Sequence, residues 1–402
     1  MPNSSLSLPL AGVRVLDLSR VLAGPWCGSV LGDLGADVIK VEHPQRGDDT
    51  RDWGLRVGAT ETSYFNSANR NKRSVTIDLQ TAEGQRIAQA LALQCDVVLQ
   101  NFRHGGAEKF GLGYARLKEE HESLIYCSIT GYDPTGPEAA RPGYDLLVQG
   151  EAGLMALNGE AGRPPLKFGV AAVDLFTGMY AAQAVLAALF ERQRTGTGRH
   201  IQMALFDCGL MITSYYGLEA LMTGEDPMRY GNAHPSIVPY GVFNAEDGPL
   251  VITVGNNMQF ARFCREVIER PELAEDDRFR TNIARAKNRA ALLPEIDREL
   301  ARRRRAVLLD RLRKANIPCG EVLGLHEALS SERATASGLV THLRHAGNTA
   351  MQVLSPPYRL DGERPPVRHA PPSLGEGTQD VLRSLLAMDD AQIARLRADG
   401  IV

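Results

Sequence analysis

The chain has 402 residues, too many for one small domain, so two or more domains are expected. Apolar residues make up 44% and charged residues 23%, the proportions of a globular chain. The 45 basic and 48 acidic side chains leave a net charge of -3, which supplies no strong field for nucleic acid or a membrane as partner.

Residues 1–10 lack the basic stretch and apolar core of a secretory signal. No run of 18 apolar residues occurs, and the stretch 179–189 is too short to span a bilayer. Cys27, Cys95, Cys127, Cys208, Cys264 and Cys319 are scattered, with no C-x-x-C pair. Such spacing suits reduced thiols rather than a disulfide framework or a metal site, so the expected compartment is the cytoplasm.

In chain order, 13–18 (VRVLDL) reads as a first strand, followed by a turn at Gly24-Pro25 and a helix through Leu34. Residues 37–42 read as a second strand, 74–78 as a third, 96–100 as a fourth and 124–129 as a fifth. The stretch 81–92 has helical spacing behind a Thr suited to a helix start. Strands alternating with helices predict an α/β fold with a parallel sheet. A long Ala- and Leu-rich helix runs from Asp174 to Arg194 and stops at Thr-Gly-Thr-Gly. Residues 201–205 resemble another buried strand, and 207–222 a helix. Composition changes near Gly224, where a strand at 250–254 precedes charged helical sequence over 259–313. The basic cluster 302–305 lies among Glu295, Asp297, Glu299 and Asp310 and reads as a solvated helix face. A Pro-rich connection at 355–372 leads to a final helix pair. The expected domains are therefore a large α/β domain over 1–224, a small one over 225–325, and a return segment over 326–402.

The opening strand, glycine turn and helix resemble the start of a dinucleotide-binding unit, with Glu42 at the position of a ribose-binding acid. The turn reads Ala23-Gly24-Pro25-Trp26-Cys27-Gly28, however, which is not G-x-G-x-x-G. Pro25 also removes a backbone N–H that a pyrophosphate would need. An NAD-dependent dehydrogenase is the alternative on this ground.

Several motifs carry a resemblance over almost the whole chain. They are 16–25 (LDLSRVLAGP), 32–42 (GDLGADVIKVE), Asn69-Arg70-Asn71-Lys72-Arg73-Ser74, Gly131-Tyr132 and Pro142-Gly143-Tyr144-Asp145. Asp174-Leu175-Phe176-Thr177-Gly178 and Leu374-Gly375-Glu376-Gly377-Thr378 complete the set. In their order and spacing they resemble the class III CoA-transferases. The stretches 231–240 and 255–260 look like the members that move CoA from succinyl-CoA to a dicarboxylic acid. Itaconate is the first choice of acceptor, with glutarate or another C4–C6 diacid next.

The resemblance implies a Rossmann-like large domain, a small α/β domain and an interlocked homodimer. It also implies CoA thioesters as substrates, with no permanently bound cofactor and no metal. Asp174 matches the family's nucleophile. A carboxylate can conserve a thioester's free energy by forming a mixed anhydride and then an enzyme thioester. With an ordinary pKa of ~3.9 it needs no separate base. Local sequence supports another role, since an Asp before an apolar helical run is a common N-cap. Such a helix end also has backbone N–H groups to offer an oxyanion.

The same resemblance assigns CoA contacts to Val21, Leu22, His43, Ile77, Asp78, Leu79, Gln80, Asn101, Phe102, Lys109 and Tyr144. His43 and Lys109 stand where relatives carry Arg. Arg70 is the candidate for the acceptor's distal carboxylate, which a guanidinium fork can hold bidentately. His234 and Tyr240 are candidates for the acyl pocket. Racemases of the same superfamily are a further alternative, but they pair the Asp with a His in Gly-His-Asp, where this chain has Gly143-Tyr144-Asp145. A phenol of ordinary pKa ~10 is a poor proton acceptor at neutral pH. A CoA-binding protein without catalysis is the remaining alternative.

Overall fold

The computed structural model describes residues 8–345 and 348–402. The chain forms two compact units. The larger takes residues 8–154, Lys167–Thr223 and Glu332–Val402, and the smaller takes Met155–Leu166 and Gly224–Ser331. The excursion Met155–Leu166 was not expected, because no change of composition marks it.

The larger unit is built on β1 (Arg14–Asp17), β2 (Asp37–Glu42), β3 (Lys72–Thr76), β4 (Val97–Gln100), β5 (Ile125–Thr130) and β6 (His200–Ala204). All six are parallel, in the order β3-β2-β1-β4-β5-β6. Alternate side chains enter two cores. Val15, Val38, Leu99 and Cys127 pack beneath the helices Ala23–Asp33 and Ala172–Thr195. Leu16, Ile39, Val98 and Tyr126 pack on the opposite face, beneath Ala82–Leu93 and the closing helices Thr378–Leu386 and Asp390–Ala398. Burial on both faces is why β1, β2, β4 and β5 carry apolar runs and are legible in sequence.

The smaller unit has an antiparallel sheet of β7 (Tyr240–Ala245), β8 (Gly248–Thr253) and β9 (Cys319–Glu321). Phe260, Phe263, Leu292, Ile296, Leu308 and Leu312 fill its core. β7 and β9 are missing from the sequence reading: β7 buries only every second side chain, and β9 has three residues. In the return segment β10 (Val340–His345) and β11 (Asn348–Leu354) form a hairpin that was likewise not expected.

The Ala172–Thr195 helix is long and apolar enough to cross a membrane by length and composition. Here Val173, Thr177, Ala181, Val185 and Ala188, spaced three or four apart, face the core instead. At Gly178 it meets the Ala23–Asp33 helix so closely that a Cβ would lie 2.6 Å from the Ala23 carbonyl oxygen. The stretch expected as one helix over 207–222 is two, Leu205–Ile212 and Tyr215–Thr223, divided where Ser214 adopts φ 52°.

Buried charges tie the carboxyl ends of β1 and β2 to β3 and to the segment after β2. Lys40 and Asp48, both fully buried, pair at 2.8 Å, and Lys40 also donates to the Ser19 carbonyl at 2.8 Å. Lys72 pairs with Asp17 at 2.9 Å and donates to the Pro25 carbonyl and to Asn69. Glu42 and Arg51 form a bidentate pair with both contacts at 2.7 Å, and Ser74 donates to the same carboxylate at 2.6 Å. Glu42 is thereby committed, which removes the ribose-binding acid of the dehydrogenase alternative.

Removing one member strands its partner in the interior. Lys40→Met is expected to lower the unfolding free energy by about 3–5 kcal/mol in urea denaturation. A loss below about 1 kcal/mol would show that the pair does not hold these strand ends.

Candidate active site

The strand order reverses between β1 and β4, so the loops leaving their carboxyl ends diverge and open a crevice. Asn101 closes its floor: its side-chain oxygen accepts from the Arg20 N–H at 2.9 Å and its amide donates to the Arg20 carbonyl at 2.7 Å. A cavity of about 320 Å³ lies here, walled by Val21, Leu22, Asn101, Phe102, Gly131, Gly143, Tyr144 and Asp174, among others. A second, of about 150 Å³, is lined by His43, Arg46, Ile77, Asp78, Leu79, Gln80 and Phe110. Arg20, Asp49 and Phe102 line both.

Val21 has φ 71°, the left-handed region that a β-branched residue rarely enters. Its N–H is held 3.3 Å from both oxygens of Asp48, the partner of Lys40. Backbone strain of this kind persists only where its surroundings enforce it. On the opposite wall a Cβ at Gly131 would lie 2.5 Å from the Gly143 Cα, so the backbones touch and bring Tyr144 to the cavity.

Asp174 sits in the first turn of the Ala172–Thr195 helix, but it is not the cap. The N-cap is Ala171, which has no side-chain oxygen to offer. Asp145 serves from outside: its Oδ1 accepts from the Val173 N–H at 2.9 Å and from the Asp174 N–H at 3.3 Å. The Ala172 N–H goes to the Val170 carbonyl. This helix end therefore has no N–H left for an oxyanion, contrary to expectation. The Asp174 pKa is raised to about 7, first by burial and then by the negative charge of Asp145. The expectation of an ordinary carboxylate pKa is corrected accordingly.

Nine of the expected CoA contacts line the two cavities without qualification: Val21, Leu22, Ile77, Asp78, Leu79, Gln80, Asn101, Phe102 and Tyr144. His43 lines the second cavity, but its Nδ1 accepts from the N–H groups of Gln45 and Arg46 at 3.2 and 3.4 Å. Arg46 and Arg20 line the same cavity. Lys109 is exposed at the end of the helix Gly106–Lys109 and lines neither cavity.

Arg70 also lines neither cavity. Its guanidinium holds Asp33 bidentately at 3.0 and 2.5 Å, lies over the Trp26 ring at 5.7 Å and is buried. Its fork is already spent, so the assignment to an acceptor carboxylate is corrected. His234 and Tyr240 belong to the smaller unit, where they line a cavity of about 210 Å³ together with Tyr230 and Arg289. Sequence reasoning passed over Arg20, Arg103 and His104, which line the first cavity, and Tyr64, whose hydroxyl is disfavoured from ionising by burial and by Asp174. Arg20 and Asp145 lay inside quoted motifs, and a chemical reading of those neighbours was the available signal.

The switch-point cavity of this doubly wound sheet carries a carboxylate whose proton affinity is raised by burial and by a second carboxylate, the marks of a reactive site in an α/β enzyme. The chain belongs to CoA-transferase family III, whose family model matches residues 10–378. It is 40% identical to the succinate–glutarate CoA-transferase of Agrobacterium fabrum, over 96% of this chain and 97% of that protein. It is 39% identical to the succinyl-CoA:glutarate CoA-transferase of Mus musculus, over 98% of this chain and 90% of that one. The crystal structure of a CAIB/BAIF family protein from Brucella suis superposes with TM-score 0.85 at 41% identity, covering 94% of this chain and all of that one.

The raised pKa links Asp174 to pH. The folded state keeps its proton up to about pH 7, whereas the unfolded chain releases it near 3.8. Stability from this group is therefore full below about pH 4 and lost as pH rises to 7. Asp174→Asn, neutral throughout, should gain on wild type across that window. The gain is expected to reach about 2 kcal/mol at pH 8, half of the ~4 kcal/mol a full shift carries, because the carboxylate faces an open cavity. Thermal unfolding at pH 4, 6 and 8 measures it, and a pH-independent difference would refute the assignment.

Proposed function

We propose that this enzyme moves CoA from succinyl-CoA to a C4–C6 dicarboxylic acid, with Asp174 as nucleophile. The observation that carries the proposal is Asp174 on the wall of the switch-point cavity, which it shares with Val21 and Leu22 after β1 and Asn101 and Phe102 after β4. The names of the two relatives above support glutarate as acceptor. Itaconate, the first expectation, has no feature of the site in its favour and stands as a competing diacid.

The ionised Asp174 attacks the succinyl thioester carbonyl, and the tetrahedral adduct expels CoA thiolate to leave a succinyl–aspartyl anhydride. The thiolate attacks the aspartyl carbonyl, releasing succinate and forming an aspartyl-CoA thioester. The acceptor carboxylate attacks that thioester to give a second anhydride and CoA thiolate. The thiolate then attacks the acceptor's acyl carbon, which frees Asp174 and yields the new acyl-CoA. No water enters, so the thioester's free energy is conserved. With the N–H groups beside Asp174 occupied, the oxyanion falls to the start of the Ala23–Asp33 helix, which has no side-chain cap and reaches the cavity at Leu22 and Ala23.

The reading includes a homodimer. The Tyr215–Thr223 helix has no buried residue, and Leu218, Leu221 and Met222 are exposed along it. Apolar surface of this extent marks an interface in most proteins. Light scattering is expected to give twice the 43.8 kDa chain mass.

Asp174→Ala is expected to lower transfer by at least about 1,000-fold. Incubation with succinyl-CoA and then hydroxylamine should place a hydroxamate on Asp174 and leave Cys27 and Cys127, both buried, unlabelled. A labelled cysteine would overturn the carboxylate route. A panel of free diacids with succinyl-CoA, read by chromatography of acyl-CoA products, tests the acceptor. Absence of product with every C4–C6 diacid would end the dicarboxylate reading.

A further inference from the structure

We propose that Asp145 is the positioning residue of this site: it holds the first turn of the Ala172–Thr195 helix by its backbone N–H groups and, as a carboxylate beside a carboxylate, governs when Asp174 ionises. The inference rests on the reading of Asp174 as nucleophile and adds the group that sets its place and its charge.

The geometry is specific. The helix has no cap of its own, because Ala171 supplies no side-chain acceptor. One oxygen of Asp145 takes the Val173 and Asp174 N–H groups, and the other accepts from the Gln149 side chain at 2.7 Å. Gln149 is itself fully buried, and its oxygen accepts from the Phe168 N–H at 2.8 Å, so Asp145 cannot swing away without breaking a chain of contacts. Asp145 opens the helix Asp145–Glu151, one residue after Tyr144 on the cavity wall. The residue that shapes the cavity and the residue that anchors Asp174 are thus adjacent in the chain.

Its charge adds a second effect. A neutral cap would satisfy the same N–H groups, whereas an ionised one opposes the charge of Asp174 at close range. Among the described residues, the other titratable groups around Asp174 include Tyr64, Cys208 on the neighbouring Leu205–Ile212 helix, and Arg20, Asp49, Arg103, His104, Arg141 and Tyr144 on the cavity wall. Arg141 is engaged with Glu138 and Glu151, and Arg20 lies 3.7 Å from Asp49. Besides burial, Asp145 is the contributor that lifts the proton affinity of Asp174. The nucleophile is thereby more basic than an ordinary aspartate and is half-protonated near neutral pH.

The test is the pH dependence of kcat/KM for succinyl-CoA transfer by the full-length enzyme. Wild type should show an acid limb with its midpoint near pH 7, set by Asp174. Asp145→Asn keeps an oxygen for the helix N–H groups and removes the charge, so the midpoint should fall by about one pH unit. Asp145→Ala removes cap and charge together. It should show the same fall and, in addition, a kcat at least about tenfold lower at pH 8 with KM changed less. An unmoved midpoint in Asp145→Asn would overturn the proposal, because a purely structural cap would leave the profile in place. Asp174→Asn separates the two ideas: retained transfer in that variant refutes the nucleophile, whatever Asp145 does.

Discussion

Six buried or nearly buried charges around β1, β2 and β3 must neutralise one another, and the site is built on how they do so. Asp17, Lys40, Asp48 and Lys72 are wholly out of solvent, and Glu42 meets Arg51 beside them. An ion taken from water into a protein interior costs several kcal/mol unless a partner with good geometry offsets it. Each charge here has such a partner: Lys72 of β3 meets Asp17 of β1, and Lys40 and Glu42 of β2 meet Asp48 and Arg51 in the segment that follows it. The arrangement thus ties β3 to β1 and fixes the segment after β2 against that strand. One of its members, Asp48, reaches out to hold Val21 in a backbone conformation that its branched side chain disfavours. The wall that faces the substrate is therefore held by charges that never touch it.

Asp174 obeys the opposite rule. No cation offsets its charge, and its near neighbour Asp145 is another carboxylate. Stability is lost whenever Asp174 ionises, and that loss is the physical content of its raised pKa. In the proposed reaction, a poorly solvated carboxylate of this kind keeps its electron density for an incoming carbonyl. The strand-end network supplies the rigidity that allows such a group to persist. The Gly178 contact with Ala23 joins the two, since it sets the helix of Asp174 directly against the turn that Asp48 holds.

Legibility in the sequence followed burial. The inner strands of the parallel sheet are covered on both faces, so their apolar runs could be read directly, whereas β7 buries alternate residues and β10 and β11 form a hairpin outside the main cores. The residues of the switch-point cavity were legible through ordered motifs. Arg70 was misread because a guanidinium in a loop has the same letters whether it is free or spent on Asp33. His43 lines the second cavity as the motif suggested, with its Nδ1 engaged by backbone N–H groups two and three residues ahead, which the letters alone did not reveal. Asp145 was quoted and not weighed, since its role depends on a helix that begins 27 residues later.

By itself the sequence determined the α/β class, the parallel strands, and the candidate carboxylate at Asp174. Those follow from local chemistry: periodicity, side-chain volume and residue type act over a few positions along the chain. Only the tertiary structure decided which charges are paired and which are left alone. Arg70 is committed to Asp33, Glu42 to Arg51 and Lys40 to Asp48, while Asp174 meets Asp145 and no cation. Proton affinity depends on burial and on charges brought within a few ångströms by distant segments, so it becomes defined only when the chain has folded.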